Sequence, residues 1–219
     1  MENDLSIISL DRVCFGYCAG SRILDSVKLN LCRGERVALV GSNGSGKTTL
    51  LHIIMGLLKP ESGHVYLFGK KRFSDRDFQE ARAHIGYLFQ DSDDQLFCPT
   101  VSSDVAFGPI NLGKTRQEAR EIMQETLAAL DISHLEHRIT YDLSAGEKKM
   151  VAFATIMAMR PKALLLDEPT SGLDSLVTEK IAFVLKEYFD TYIVVSHDRA
   201  FLEQTTDRTY CLEGGAFIE

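Results

Sequence analysis

The chain has 219 residues, 45% of them hydrophobic, and a net charge of −7. That length and apolar content suit one large domain, or one domain carrying an inserted subdomain, with a real core. The acidic balance supplies neither the basic footprint of a nucleic-acid binder nor a basic membrane-surface anchor.

The N-terminal run MENDLSIISL has no positive flank before its apolar residues and does not read as a secretory signal. Cys14, Cys18, Cys32, Cys98 and Cys211 are odd in number and form no C-x-x-C pair, which fits a reduced cytosol. VAFATIMAM, the longest strongly apolar run, is nine residues, where a bilayer span needs roughly 20. No transmembrane segment is expected.

In chain order, RVALVG reads as a buried strand, and GSNGSGKT, Gly41 to Thr48, follows it directly before a helical run, TLLHIIMGLL. This fits G-x-x-x-x-G-K-[ST] in the strand-then-helix context that the motif requires. Glycines let the backbone wrap a polyphosphate with its N–H groups turned inward, and the helix N-terminus adds partial positive charge. The candidate binders are therefore Gly41, Ser42, Asn43, Gly44, Ser45, Gly46, Lys47, Thr48 and Thr49, with Lys47 reaching the β/γ-phosphates and Thr48 holding Mg²⁺. A nucleoside triphosphate is the implied ligand.

Next comes FQDSDDQLF, residues 89 to 97, whose spacing imitates a calcium loop. The sixth position would be Leu96 where glycine is needed, and the twelfth Ser102 where a bidentate glutamate belongs, so calcium is set aside. Residues 115 to 132 open on a capping box of Thr115 and Glu118 and carry Ala119, Ile122, Met123, Leu127 and Leu130 along one face. A second helix is expected after Leu143, and the two suggest a helical insertion at about 92 to 160.

ALLLDEP is an apolar strand ending in two carboxylates. Asp167 is placed to hold Mg²⁺, and Glu168, one residue on, to act as general base toward an attacking water. A crossover helix with Leu176, Ile181, Val184, Leu185 and Tyr188 at helical spacing follows, then the strand TYIVVSHD, whose His197 sits at the strand end where a γ-phosphate contact is feasible. No repeat or low-complexity segment interrupts this pattern.

Taken together, these residues resemble the nucleotide-binding domain of ABC-type ATPases over nearly the whole chain: Tyr17 in FGY, GSNGSGKT, Gln90, LSAGE, ALLLDE, SGLD and His197 stand in family order. The resemblance implies an α/β P-loop NTPase cassette with a mostly parallel sheet core, an N-terminal antiparallel β subdomain and an inserted helical subdomain. It implies one ATPase domain over 1–219, with 1–91 and 161–219 as the nucleotide-binding core and 92–160 as the helical part. Tyr17 would stack on adenine, Gln90 would sense Mg²⁺ and the γ-phosphate, and His197 would serve as the switch histidine beside Lys47 and Glu168. Ser144, Ala145, Gly146 and Glu147 would cap the ATP of a second subunit in a head-to-tail homodimer or heterodimer. The usual signature is L-S-G-G-Q, so Ala145 and Glu147 are departures, which raises the expectation of strain at Ala145 and of unwelcome charge at Glu147 that Lys148 and Lys149 would offset.

The stretch FQDSDDQLFCPTVSSDVAFGPINLG further resembles the Q-loop region of ATPases from energy-coupling-factor importers, and LSAGEKKMVAFATIMAMRPKALLLDEPTSGLD the cobalt and nickel branch of that group. That resemblance places Gln95, Leu96 and Phe97 in an extra Q-helix flanking a groove for coupling helices. Asp91, Asp93 and Asp94 then read as a docking surface for basic partners. It implies a transmembrane scaffold subunit and a substrate-capture subunit as partners, no nucleic acid, and a peripheral place on the cytoplasmic face of the membrane. The alternatives are a shared ATPase of a vitamin importer and a soluble, non-transport ABC ATPase. His134 and His137 in HLEH are read as surface residues, since an ATPase subunit does not touch the cargo.

Overall fold

The computed structural model describes residues 6–18 and 20–218, and these divide into two compact units, one of residues 1–82 with 190–219 and one of residues 83–189. The first unit opens with strands β1 (Ser6–Phe15), β2 (Leu24–Cys32) and β3 (Arg36–Val40), then helix α1 (Lys47–Ile54), strands β4 (Ser62–Leu67) and β5 (Lys70–Arg72) and helix α2 (Asp75–Arg82). The second unit holds β6 (Ile85–Leu88), α3 (Val101–Asn111), α4 (Arg116–Ala129), α5 (Ala145–Ala158), β7 (Ala163–Asp167) and α6 (Ser175–Tyr188). The chain then returns to the first unit with β8 (Tyr192–Val195), α7 (Arg199–Thr205), β9 (Arg208–Glu213) and β10 (Ala216–Ile218).

In the first unit, β2, β1, β4 and β5 pair antiparallel in that order, which is the N-terminal β subdomain. Strand β3 pairs parallel with both β8 and β9, and β10 closes antiparallel on β9. Val37, Ala38 and Leu39 are fully buried, as an unbroken apolar run must be when both faces of a parallel strand are covered. Helix α1 leaves the end of β3 through the glycine-rich turn and buries Leu50, Leu51, Ile53 and Ile54. That apolar face fixes where the N-terminus of α1 points.

In the second unit, β6 and β7 pair parallel, Leu88 opposite Leu166. Helix α4 starts on the Thr115–Glu118 capping box and buries Ala119, Ile122, Met123 and Leu127. Helix α6 buries Ile181, Val184 and Leu185, but Leu176 is 76% exposed and Tyr188 52% exposed, so two residues expected on its inner face lie outside it. Leu176 stands about 140° around the helix from Ile181 at 3.6 residues per turn. Tyr188 is the last helical residue, and the next residue, Phe189, turns to extended backbone and takes the buried place against Phe153.

Because the inner face of α1 seats the glycine-rich turn, Ile53→Ala is expected to lower the unfolding free energy by about 2–5 kcal/mol, the range for removing a fully buried Ile side chain. Urea unfolding of the two proteins measures it.

Candidate functional site

The first unit gathers the turn residues. Gly41, Gly44 and Gly46 have φ of 154°, 79° and 102°, a backbone path that side chains resist. A Cβ at Gly41 would lie 2.2 Å from the Leu212 carbonyl oxygen, and one at Gly46 2.9 Å from Ile23 Cγ2, so both positions also lack room. Gly46, in the left-handed conformation, is the N-cap of α1. Lys47 is only 8% exposed, and its Nζ donates to the carbonyls of Gly41 and Ser42 at 2.9 Å each. The loop therefore holds its own lysine folded across the turn. Ser45 Oγ is buried without a hydrogen-bond partner among the described residues. A buried hydroxyl in this position, next to a buried ammonium and a helix start, fits a phosphate oxygen.

Ser42 donates from both its N–H and its hydroxyl to Glu213, 2.8 Å each, and these two bonds, with Lys47 nearby, hold the Glu213 carboxyl below the usual range. Nothing in the sequence points to Glu213, because β9 reaches β3 only through tertiary pairing. Tyr17 is exposed, stands edge-on to Phe15 at 5.0 Å, and shares a 3.1 Å hydrogen bond with Thr49 Oγ1. Its ring is thus oriented but open on one side. Asn43 and Thr48 are exposed and half-buried respectively, and His197 is exposed just beyond β8.

The second unit gathers the remaining predicted residues. Strand β7 is buried along its length, and Asp167 at its end is 1% exposed. Glu168, half-buried, has φ of 48°, a left-handed conformation that costs a non-glycine residue about 1–2 kcal/mol. Strain of this kind collects at functional positions, where it aims a side chain the regular strand would not. Burial first, then the Asp167 charge, pushes the Tyr87 hydroxyl far above its ordinary range. Within the second unit, Gln90 and Asp167 offer an amide oxygen and a carboxylate, oxygen donors of the type Mg²⁺ prefers. On donor chemistry the residues fit the ion.

Ser144 is the N-cap of α5, its hydroxyl accepting from the Glu147 N–H at 3.3 Å. Glu147 in turn accepts from the Ser144 N–H and hydroxyl at 2.8 Å each. This capping box corrects the expectation of strain at Ala145. Ala145 is the first residue of a regular helix and is absent from the positive-φ residues, so its methyl causes no strain. Glu147 uses its carboxylate to close the helix end. Gly146 has open space beside it: a Cβ there would stand 3.9 Å from Leu173 Cδ2, an ordinary van der Waals distance. The first turn of α5 is accessible.

Residues 93–95 form a hydrogen-bonded turn and Leu96 and Phe97 follow it without regular structure, where Gln95, Leu96 and Phe97 were expected in an extra Q-helix. The Gln95 side chain is turned inward. Gln95 accepts from the Phe89 N–H at 3.2 Å and donates to the Ala152 carbonyl at 2.8 Å and to Thr155 Oγ1 at 2.9 Å. Asp93 pairs with Lys148 at 2.6 Å, and Asp91 accepts from the Asp93 N–H at 2.9 Å. Of the docking residues expected there, Asp94 and the 66% exposed Phe97 face solvent free of those ties. Gln90 is exposed, and its carbonyl accepts from Lys149 Nζ at 2.7 Å. Lys149 was expected to offset the Glu147 charge and instead points to the Q-loop. A signal for this existed: with Ala152, Phe153 and Ile156 it falls on the buried face of α5.

Known proteins resemble this chain over most of its length. The sequence profile of the ABC transporter family matches residues 24–171. An energy-coupling factor transporter ATP-binding protein, EcfA of Methanothermobacter thermautotrophicus, is 40% identical over 97% of this chain and 70% of its own length. The cobalt import ATP-binding protein CbiO of Rhodobacter capsulatus is 41% identical over 97% of this chain and 77% of its own. Among solved structures, CbiO1 of Clostridium perfringens, part of a transporter complex, superposes with a TM-score of 0.86 at 35% identity, covering 98% of this chain and 88% of that one. A dimeric ATP-binding cassette in a post-hydrolysis state with ADP and phosphate superposes at 0.88 with 29% identity over 97% of both chains.

The capping box gives a pH prediction. The hydrogen bonds from Ser144 hold the Glu147 carboxyl below its usual value. With the folded pKa depressed, the bonds stabilise the fold above the unfolded value of about 4.3 and are lost as pH falls through the folded pKa. Glu147→Gln is therefore expected to remove part of the stability loss between about pH 5 and pH 3. Urea unfolding of both proteins across that window measures the difference.

Proposed function

Because this chain belongs to the ABC transporter family and is an ATPase of that family, we propose that it energises an importer of the energy-coupling-factor type whose cargo is cobalt or nickel ion. The observation that carries the ATPase chemistry is the phosphate cradle of Gly41, Gly46, the buried Lys47 and the partnerless Ser45 hydroxyl. Cobalt and the direction of import rest on similarity to the cobalt import protein CbiO, and the energy-coupling-factor type on similarity to EcfA.

In this reading the turn N–H groups and Lys47 bind the ATP phosphates, and Lys47 leaves the Gly41 and Ser42 carbonyls to do so. Tyr17 carries the adenine on its open ring face. Glu168 accepts a proton from the water that attacks the γ-phosphate, and His197 and the Gln90 side chain hydrogen-bond the γ-phosphate and that water. Thr48, Gln90 and Asp167 would hold Mg²⁺, which when bound would supply charge neutralisation at the phosphates. Ser144, Gly146 and the first turn of α5 offer N–H groups and a positive helix end to the nucleotide of a second ATPase subunit, the same chain or a related one.

The membrane scaffold is proposed to dock on the second unit through Phe97 and Phe107. These rings stack edge-to-face at 4.7 Å, yet Phe97 is 66% and Phe107 43% exposed, with Ile110 and Leu112 also exposed at the end of α3. No helix of the described residues is long and apolar enough to cross a membrane, so attachment through partner subunits on the cytoplasmic face is the arrangement that this reading requires.

Glu168→Gln is expected to retain ATP binding and lose hydrolysis by about 10² to 10⁴, the usual contribution of a positioned general base. Calorimetry and phosphate release test it, and hydrolysis near the wild-type rate would remove Glu168 from that role. Phe97→Ala with Phe107→Ala is expected to reduce co-purification with a co-expressed transmembrane scaffold subunit of an energy-coupling-factor importer while ATP hydrolysis by the isolated chain stays unchanged.

A further inference from the structure

Lys149 belongs to none of the nucleotide-binding motifs, yet it is 4% exposed and its Nζ donates to the Gln90 carbonyl at 2.7 Å and the Phe89 carbonyl at 3.3 Å. The same stretch of chain is tied to α5 by three further side-chain contacts: Gln95 to the Ala152 carbonyl, Gln95 to Thr155 Oγ1, and Lys148 to Asp93. Segment 89–95 is thus fastened along the first three turns of the helix whose N-terminus is Ser144.

Burial of an ammonium is unfavourable and pushes Lys149 below the usual lysine range, but Asp91, Asp167 and Glu168 act in the opposite sense. Attraction between charges is mutual, so the lysine steadies those carboxylates as much as they steady it. In a site of low polarity such pairs act more strongly than in water.

We propose that Lys149 is a positioning residue for ATP hydrolysis, holding the Phe89 and Gln90 main chain against the signature helix. It touches neither nucleotide nor water. Its effect passes through the Gln90 backbone, so that the Q-loop and the first turn of α5 move as one body. The inference rests on the assignment of Glu168 and Gln90 above.

The test uses the full chain with Lys149→Met, close in length without the charge, and Lys149→Arg, which keeps it. Hydrolysis is measured against ATP concentration, and hydrogen exchange is followed at the amides of 89–95. Lys149→Met is expected to lose about tenfold or more in kcat with KM for ATP within about threefold, because the phosphate cradle is untouched. Exchange at 89–95 should rise, and Lys149→Arg should recover most of kcat. Wild-type kcat in Lys149→Met overturns the proposal. So does an equal loss in both variants with a lowered melting temperature, which marks a packing role only. If Lys149→Met does not fold, Lys149→Gln replaces it, and wild-type kcat there overturns the proposal equally. A wild-type chain that binds but does not hydrolyse ATP overturns the functional reading and this inference together, and is recognised because the unsubstituted protein is itself inactive.

Discussion

The left-handed backbone between β3 and α1 is the constraint on which the rest depends. A chain can turn several consecutive N–H groups toward one anion only by passing through conformations that a Cβ resists, and here two of the glycines also lack space for a methyl group. Once that path is set, the buried Lys47 has no solvent to turn to and satisfies itself on the turn's own carbonyls. The apolar face of α1 and the buried run of β3 act as the rigid supports that keep the turn from relaxing. Binding of a polyphosphate then exchanges one set of polar partners for another, which keeps the cost of reorganisation small.

The second unit solves a different problem, the presentation of a helix N-terminus and a pair of carboxylates. The capping box closes α5 with Ser144 and Glu147, leaving the next N–H groups of the first turn for a ligand. Glutamate at 147 serves the box as well as glutamine would, since either side chain reaches back to the N-cap N–H. At β7 the buried strand forces Asp167 into the interior, and the positive φ at Glu168 directs the next carboxylate away from the strand's alternation.

The acidic knot at 89 to 97 finds its intramolecular partners far along the chain. Its three aspartates all stay exposed, and Asp93 is matched by Lys148, 55 positions away, while Gln95 reaches Ala152 and Thr155. Beside the carboxylates stands an exposed aromatic residue, Phe97, held edge-on by Phe107. The surface of this stretch therefore combines negative charge with an aromatic edge, and Gln95 fastens it to α5.

Local pattern was enough for the phosphate loop, the strand whose end carries Asp167 and Glu168, the Thr115–Glu118 capping box and the core faces of α4 and β3, because each depends on residues within a few positions of one another. The family resemblance was legible for the same reason, as an ordered set of short motifs. Tertiary structure alone decided the rest. Glu213 reaches Ser42 through the pairing of β9 with β3, and Lys149 reaches Gln90 through the packing of α5 on the Q-loop. The absence of strain at Ala145 followed from where α5 begins, and the exposure of Leu176 from which side of α6 is covered. Those contacts join residues distant in sequence, and a side chain's partner at that separation is set by how elements pack, which no local spacing records.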